Sequence, residues 1–220
     1  MFLSGIVFGI YSYKVQQLKK LVRVRSRIAA DLHDDVSSTL SSISILSIIL
    51  NKKVKDPESA VIVDEIGTSA QNMLERIDDI IWLVNPLNDK FENLGLRISE
   101  FAAPLFELKN ILFTIDYPDK MLNLRLTMET RRNIFLIAKE AINNALKYAN
   151  CRKAEIIFRQ ENGHLIMDII DDGLGFDPTV LTSRNGLKNM KHRADKINGI
   201  LRIDSKPGKG TQINLQMKST

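Results

Sequence analysis

Two runs of regularly spaced apolar residues in the first 86 positions constrain the fold most. From Leu18 to Leu50 the series Leu18, Val22, Arg25, Ala29, Leu32, Val36, Thr39, Ile43, Leu46, Leu50 advances by alternating steps of four and three, with Arg25 and Thr39 the exceptions to apolarity. Such steps keep one edge of a helix apolar over several heptads, which predicts a long helix packed against other helices. Asn51–Asp56 interrupts the pattern; Asp56 suits a helix cap and Pro57 a first helical turn. A second series, Val63, Ile66, Ala70, Met73, Ile77, Ile80, Val84, stops at Asn85–Pro86, because the residue before a proline is pushed out of the helical region. Two helices joined by a short loop predict an antiparallel hairpin over about residues 14–86. Ile45, Ile48, Ile49, Val61, Leu74, Ile81 and Leu83 lie off both series, more than one hairpin can bury. Two hairpins pairing into a four-helix bundle solves this, so a homodimer is expected.

From Asp89 the pattern becomes α/β. Helices are predicted over 91–109 and about 127–149, with a strand over 111–117 between them. Strands over 154–159 and 165–170 form a hairpin turning at Glu161–Asn162–Gly163. A glycine-rich loop, a short helix near 187–197 and strands over 200–205 and 211–217 complete the chain. The expected class is a helical hairpin (a four-helix bundle in the dimer) followed by an α/β two-layer sandwich over about 89–218.

The net charge of +5 is local: residues 1–30 carry six Lys and Arg and no acid, and the remainder is nearly neutral. A nucleic-acid-binding face needs a basic patch on the folded body, so the distribution argues against that partner. The basic cluster follows the apolar stretch Met1–Tyr13, too short to span a bilayer, which takes about 20 residues. Apolar first and basic second is the order at the cytoplasmic exit of a transmembrane helix. Residues 1–13 are accordingly expected to end such a segment, placing the rest at the cytoplasmic face of the inner membrane. The single cysteine, Cys151, cannot form a disulfide within one chain and reads as a small apolar filler.

The chemistry-bearing residues lie in four segments. In Ile137–Tyr148, Glu140, Asn144 and either Lys147 or Tyr148 share a helix face, a set of oxygens and an ammonium that suits Mg²⁺ and phosphates. Asp171-Asp-Gly-Leu-Gly175 follows a predicted strand; Gly173 and Gly175 let backbone approach a ligand, and an aspartate accepts from an exocyclic amine. Gly186–Leu187 opens a predicted helix, where backbone N–H groups attract phosphate. Gly210–Thr211 closes the loop before the last strand. In this order the segments resemble the nucleotide-binding domain shared by histidine kinases, gyrase, Hsp90 and mismatch-repair ATPases. The resemblance covers about the last 95 residues and implies ATP and Mg²⁺ as cofactors. It implies that Asp171 binds the adenine amine with Thr211 nearby, Asn144 ligates Mg²⁺ and Lys147 meets the phosphates. Residues 177–190 would form a lid over the ATP.

Within that superfamily, Arg27-Ile-Ala-Ala-Asp-Leu-His-Asp-Asp-Val36 decides. His33 follows seam residue Leu32 and so points away from the helix contact. Imidazole is a nucleophile that titrates near neutrality, and an adjacent carboxylate can orient it. Leu-His-Asp on a heptad helix resembles the phosphoacceptor region of the nitrate-sensing and desaturase-regulating histidine kinases, as does Asp79–Pro86 their second-helix end. The resemblance implies self-phosphorylation of His33 with Asp34 as proton acceptor, then transfer to an aspartate in the receiver domain of a response regulator. In that family a glutamine four residues after this aspartate positions water for dephosphorylation; Ser38 stands here. The alternatives are an ATP-hydrolysing clamp, which would use Glu140 as base, and an anti-sigma-type serine kinase. Neither has a use for a long upstream hairpin carrying its own histidine. His164, His192 and Trp82 read as solvated or packing residues.

Overall fold

The computed structural model describes residues 2–178 and 185–219. The chain divides into two compact units, Met1–Leu87 and Asn88–Thr220.

The first unit is helical. Helix α1 runs Phe2–Asp31 and passes through a π-helical turn, Leu32–Ser37, into α2, Ser38–Asn51; α3, Pro57–Val84, returns antiparallel to it. Asp56 caps α3, accepting from the Ser59 amide at 2.9 Å and the Ser59 hydroxyl at 2.6 Å. Arg25 Nε donates to the Val84 carbonyl at 3.0 Å, serving one of the last carbonyls of α3, which have no intrahelical donor. Among the described residues no helix is long and apolar enough to cross a membrane.

The heptad reading holds only from Arg25 to the π turn; Leu18 and Val22, before it, are exposed. Arg25, Ala29, Leu32 and Val36 are covered as expected. Beyond it the covered positions are Leu40, Ser44, Ser47 and Asn51, one residue later than the expected Thr39, Ile43, Leu46 and Leu50. A π turn inserts one residue into the helical ladder, so every later side chain rotates by one position. Ser47 therefore meets Gly67 of α3, where an added Cβ would lie 3.2 Å from the Ser47 Cβ, and Ile43, Leu46 and Leu50 stand exposed. In α3 the expected seam splits: Val63 and Ala70 are buried within the hairpin, Ile66, Met73 and Ile80 are exposed, and Leu83, placed off the seam, is buried.

The second unit is a five-stranded sheet covered on one face by helices. Its elements are α4 (Phe91–Glu107), β1 (Leu112–Asp116), α5 (Met128–Asn144), a second π turn (Ala145–Ala149), β2 (Lys153–Glu161), β3 (His164–Asp171), α6 (Asn185–Lys196), β4 (Ile200–Ser205) and β5 (Thr211–Lys218). The strand order is β1-β2-β3-β5-β4, with β1 parallel to β2 and the other pairs antiparallel. Asn162 and Gly163, both at positive φ, make the two-residue turn between β2 and β3. The single helix expected over 127–149 is thus an α-helix that widens into a π turn, ended by Asn150 at φ 49°.

Alternation along each strand sends one set of side chains to the helices. Ile156, Phe158, Leu165, Met167 and Leu215 meet Phe91, Leu94 and Ile98 of α4 and Ile134, Ile137 and Ile142 of α5 in one buried layer. Phe91 sits edge-on to Phe158 at 4.9 Å and to Tyr117 at 5.4 Å. Cys151 is buried as a filler, and burial pushes its thiol pKa up.

One charge lies inside this layer. Arg131 is 0% exposed and donates to the Asn88 carbonyl and, at 2.8 Å, to Asp89 Oδ1. It fixes the entry of the unit onto α5. Breaking a buried pair from one side costs roughly 3 kcal/mol or more, so Arg131→Met should lower the stability of the α/β unit by about that amount. Urea unfolding followed by far-ultraviolet circular dichroism reads the change.

Candidate functional site

A cavity of about 660 Å³ opens between the end of α5 and the far ends of β3 and β5. Helical spacing brings Glu140, Ala141, Asn144, Ala145 and Tyr148 to its wall. The loop after β3 contributes Asp171, Leu174, Gly175 and Phe176, α6 contributes Gly186 and Leu187, and β5 contributes Thr211 and Ile213. The four sequence segments, spread over more than 70 residues, meet here. Lys147, exposed on the π turn, does not line the cavity; Tyr148, itself 57% exposed, borders it. Gly173 and Gly210 stand behind the wall. A Cβ on Gly173 would fall on the Ala149 carbonyl, and one on Gly210 on the Asp171 carbonyl. Gly175, at φ 60°, presses in the same way on the Lys206 carbonyl. A Cβ on Gly186 would fall on the Glu140 carboxylate, so a side chain there would push that carboxylate aside. Of the expected lid, 177–190, residues 179–184 lie outside the described residues.

The two aspartates of the loop have opposite environments. Asp172 accepts from the amides of Arg152 and Lys153, each at 2.8 Å, and the Lys153 amide is the larger cause of its lowered pKa. Asp171 is pushed above the ordinary carboxylate range by burial, although the Gly173 amide and the amide and hydroxyl of Thr211 donate to it. A half-buried acceptor against the apolar Ala141, Ala145, Leu174 and Ile213 is suited to a planar base carrying an amine. Those apolar wall residues escaped the sequence reading, although Ala141 and Ala145 share the helical spacing of Asn144 and Tyr148. Among the described residues no three His, Cys, Asp or Glu side chains gather as a metal cluster. Asn144 and Glu140 supply oxygen donors, the type Mg²⁺ takes beside phosphate and water.

The second group of chemical interest is in the helical unit. His33 stands on the first π turn, its side chain 70% exposed, with Nδ1 3.3 Å from Asp34 Oδ1. The Ser38 hydroxyl donates to the Asp34 carbonyl at 2.5 Å and approaches the Asp35 carbonyl at 3.2 Å, and Thr39 donates to the Asp35 carbonyl at 2.8 Å. These hydroxyls serve carbonyls of the widened turn.

The sign of the Asp171 shift gives a test. A carboxyl with a raised folded-state pKa contributes stability below the ordinary value of 3.8 and loses it as pH rises through the raised value. At pH 7 its charged form is therefore a burden on the fold. Asp171→Asn should raise the calorimetric midpoint of the ligand-free protein near neutrality, with the gain shrinking as pH falls toward the carboxylate range. A difference that does not vary with pH would count against this electrostatic account.

Comparison with known proteins follows the same division. The model of the "Histidine kinase" family HisKA_3 matches residues 24–88, and that of the "Histidine kinase-, DNA gyrase B-, and HSP90-like ATPase" family matches residues 129–220. Sensor histidine kinase LiaS of Bacillus subtilis (strain 168) is 30% identical over 209 residues, covering 91% of this chain and 56% of the relative. Sensor histidine kinase YhcY of the same strain is 29% identical over 204 residues, covering 92% of this chain and 52% of the relative. The chain thus spans about half the length of these curated relatives. Among solved structures, the histidine kinase domain of the Erythrobacter litoralis EL346 blue-light activated histidine kinase superposes with a TM-score of 0.56 at 16% identity, covering 83% of this chain and 94% of that one. Full-length ShkA in complex with AMPPNP gives a TM-score of 0.55 at 14% identity, over 88% of this chain and 46% of that one. These two likenesses speak for the fold. With the histidine kinase model matched over the hairpin and the ATPase model over the α/β unit, in order along one chain, the protein belongs to the bacterial two-component sensor histidine kinases of the HisKA_3 type.

Proposed function

We propose that this chain binds ATP in the α/β cavity and transfers the γ-phosphoryl group to His33, from which it passes to an aspartate on the receiver domain of a response regulator. The observation that carries the reading is the pairing, on one chain, of an exposed histidine bonded to a carboxylate with a cavity framed by Asn144 and Asp171. If Nδ1–H is directed at Asp34, the ring lone pair lies on the exposed Nε2. Nε2 then attacks the γ-phosphorus as the bond to the ADP oxygen breaks, and the Nδ1 proton moves onto Asp34. Asp171 takes the adenine amine, with Thr211 beside it and Leu174 and Ile213 shielding the base from water. Gly175, Gly186 and Leu187 border the nucleotide, and Gly173 and Gly210 keep the backbone close.

Asn144, with Glu140 behind it, would hold Mg²⁺, which neutralises charge on the transferring phosphoryl group when bound. Glu140 faces Gly186 at the start of α6 and so joins the cavity floor to the helix that follows the lid. Lys147, exposed on the π turn, reaches phosphate only by extending along the rim. The exposed row Ile43, Leu46, Ile66, Met73 supports assembly as a homodimer through a four-helix bundle. The order of apolar and basic residues in 1–30 supports attachment at the membrane's cytoplasmic face. The match of the hairpin to a histidine kinase model weighs against both the ATP-hydrolysing clamp and the serine kinase.

His33→Gln should abolish self-labelling from γ-labelled ATP while nucleotide affinity stays at the wild-type level. The wild-type label should be lost in acid and kept in alkali, as phosphohistidine is. Undiminished acid-labile label in the variant would place the acceptor elsewhere.

Ser38 gives the second test. Its hydroxyl is committed to the Asp34 carbonyl, so it is a poor substitute for a carboxamide that holds water. Wild type should dephosphorylate a partner regulator slowly, and Ser38→Gln should speed the decay, since placing a reactant within about 1 Å is worth up to roughly 100-fold. Fast decay with wild type, lost in Ser38→Ala, would show that serine suffices.

A further inference from the structure

The last residue of β4, Ser205, is 6% exposed and takes no part in the chemistry above. Its Oγ accepts from the Phe176 amide at 2.9 Å, donates to the Gly210 carbonyl at 2.9 Å, and lies 3.1 Å from Thr211 Oγ1. A hydroxyl has one proton and two lone pairs. An amide N–H can only donate and a carbonyl can only accept, so those two partners fix the Ser205 proton and one lone pair. The remaining lone pair faces Thr211. The Thr211 hydroxyl proton therefore has two acceptors, Ser205 Oγ and the Asp171 carboxylate.

The consequence is spatial. Phe176 and Thr211 line the cavity from two different strand ends, and the Ser205 side chain bonds to both segments at once. A backbone bond from the Gly208 amide to the Leu174 carbonyl, at 2.6 Å, ties the same two loops a few residues further out. Without the hydroxyl, a part-buried amide and a buried carbonyl lose their partner, and the loop carrying Leu174 and Phe176 is free to shift against Asp171 and Thr211.

We propose that Ser205 is a positioning residue for adenine recognition, acting through Thr211 and the glycine loop without touching the nucleotide. This rests on the reading of the cavity as the ATP site. Ser205 bonds neither Asn144 nor Glu140, so its influence falls on the base end of the pocket and not on the phosphoryl end.

The experiment measures initial rates of self-labelling against ATP and against GTP with the full chain, beside calorimetric midpoints. Ser205→Ala should raise KM for ATP about tenfold, the factor that loss of one well-made buried hydrogen bond gives. kcat should fall much less, and the preference for ATP over GTP should narrow. Ser205→Cys fills the same space with a weak hydrogen-bonding group and serves if the alanine variant does not fold; it should raise KM in the same direction. A merely structural role would lower the thermal midpoint and kcat and leave KM and the base preference alone, and that result in either folded variant overturns the proposal. Asp171→Asn separates the two levels. If it loses ATP while the Ser205 variants keep wild-type KM, only the Ser205 assignment fails; if it too keeps wild-type KM, the cavity itself has been misread.

Discussion

The α/β unit depends on backbone approaching backbone where no side chain can stand between. Gly173 lies on the Ala149 carbonyl, Gly175 on the Lys206 carbonyl and Gly210 on the Asp171 carbonyl. Three chain segments, the end of the α5 turn, the loop after β3 and the loop after β4, are thereby drawn to van der Waals contact. Hydrogen bonds hold them there: the Leu174 amide to the Ala149 carbonyl at 2.6 Å and the Gly208 amide to the Leu174 carbonyl at 2.6 Å. At Gly175 and Gly210 the backbone is also left-handed, so glycine meets a steric and a conformational need at one position. The cavity is the space these contacts leave, and its end around Asp171 and Thr211 inherits its shape from them.

Two π turns supply the other departure from regular structure. One carries His33, and the other carries Tyr148, which borders the cavity, and Lys147, which does not. An added residue in a helical turn leaves carbonyls poorly served by the regular ladder, and local hydroxyls compensate. Ser38 and Thr39 do so around Asp34 and Asp35. The added residue also rotates α2, which puts small polar residues, Ser44 and Ser47, against α3 and leaves Ile43, Leu46 and Leu50 on the outside. The outer face of the hairpin is therefore more apolar than its inner one. That inversion is what a helical hairpin needs if its main apolar contact is with a second copy.

Charge is placed with comparable economy. Neighbouring carboxylates at 171 and 172 differ because one is half-buried and the other accepts two amide hydrogens at the surface. The buried Arg131 anchors the start of the α/β unit through Asp89. Neither role can be read from residue type, since acid pairs and lone arginines in sequence are ordinarily solvated.

The sequence alone carried the hairpin, the α/β class, the segments of the cavity and the histidine. The hairpin and the class depend on short-range spacing, in which heptads and strand alternation act within a few residues; the segments of the cavity and the histidine stood out through their resemblance to a known family. The tight turns were equally legible, because Asn162–Gly163 and Asp56–Pro57 act through their own backbone preferences. Tertiary structure alone decided which half of each heptad seam faces inward, that Tyr148 and not Lys147 borders the cavity, and that Leu83 is core. It alone made Ser205 a link between two loops. The physical reason is common to all four. Each turns on a rotation of one residue, or on a hydrogen bond between segments that meet only in the folded chain, and neither leaves a periodic trace in the sequence.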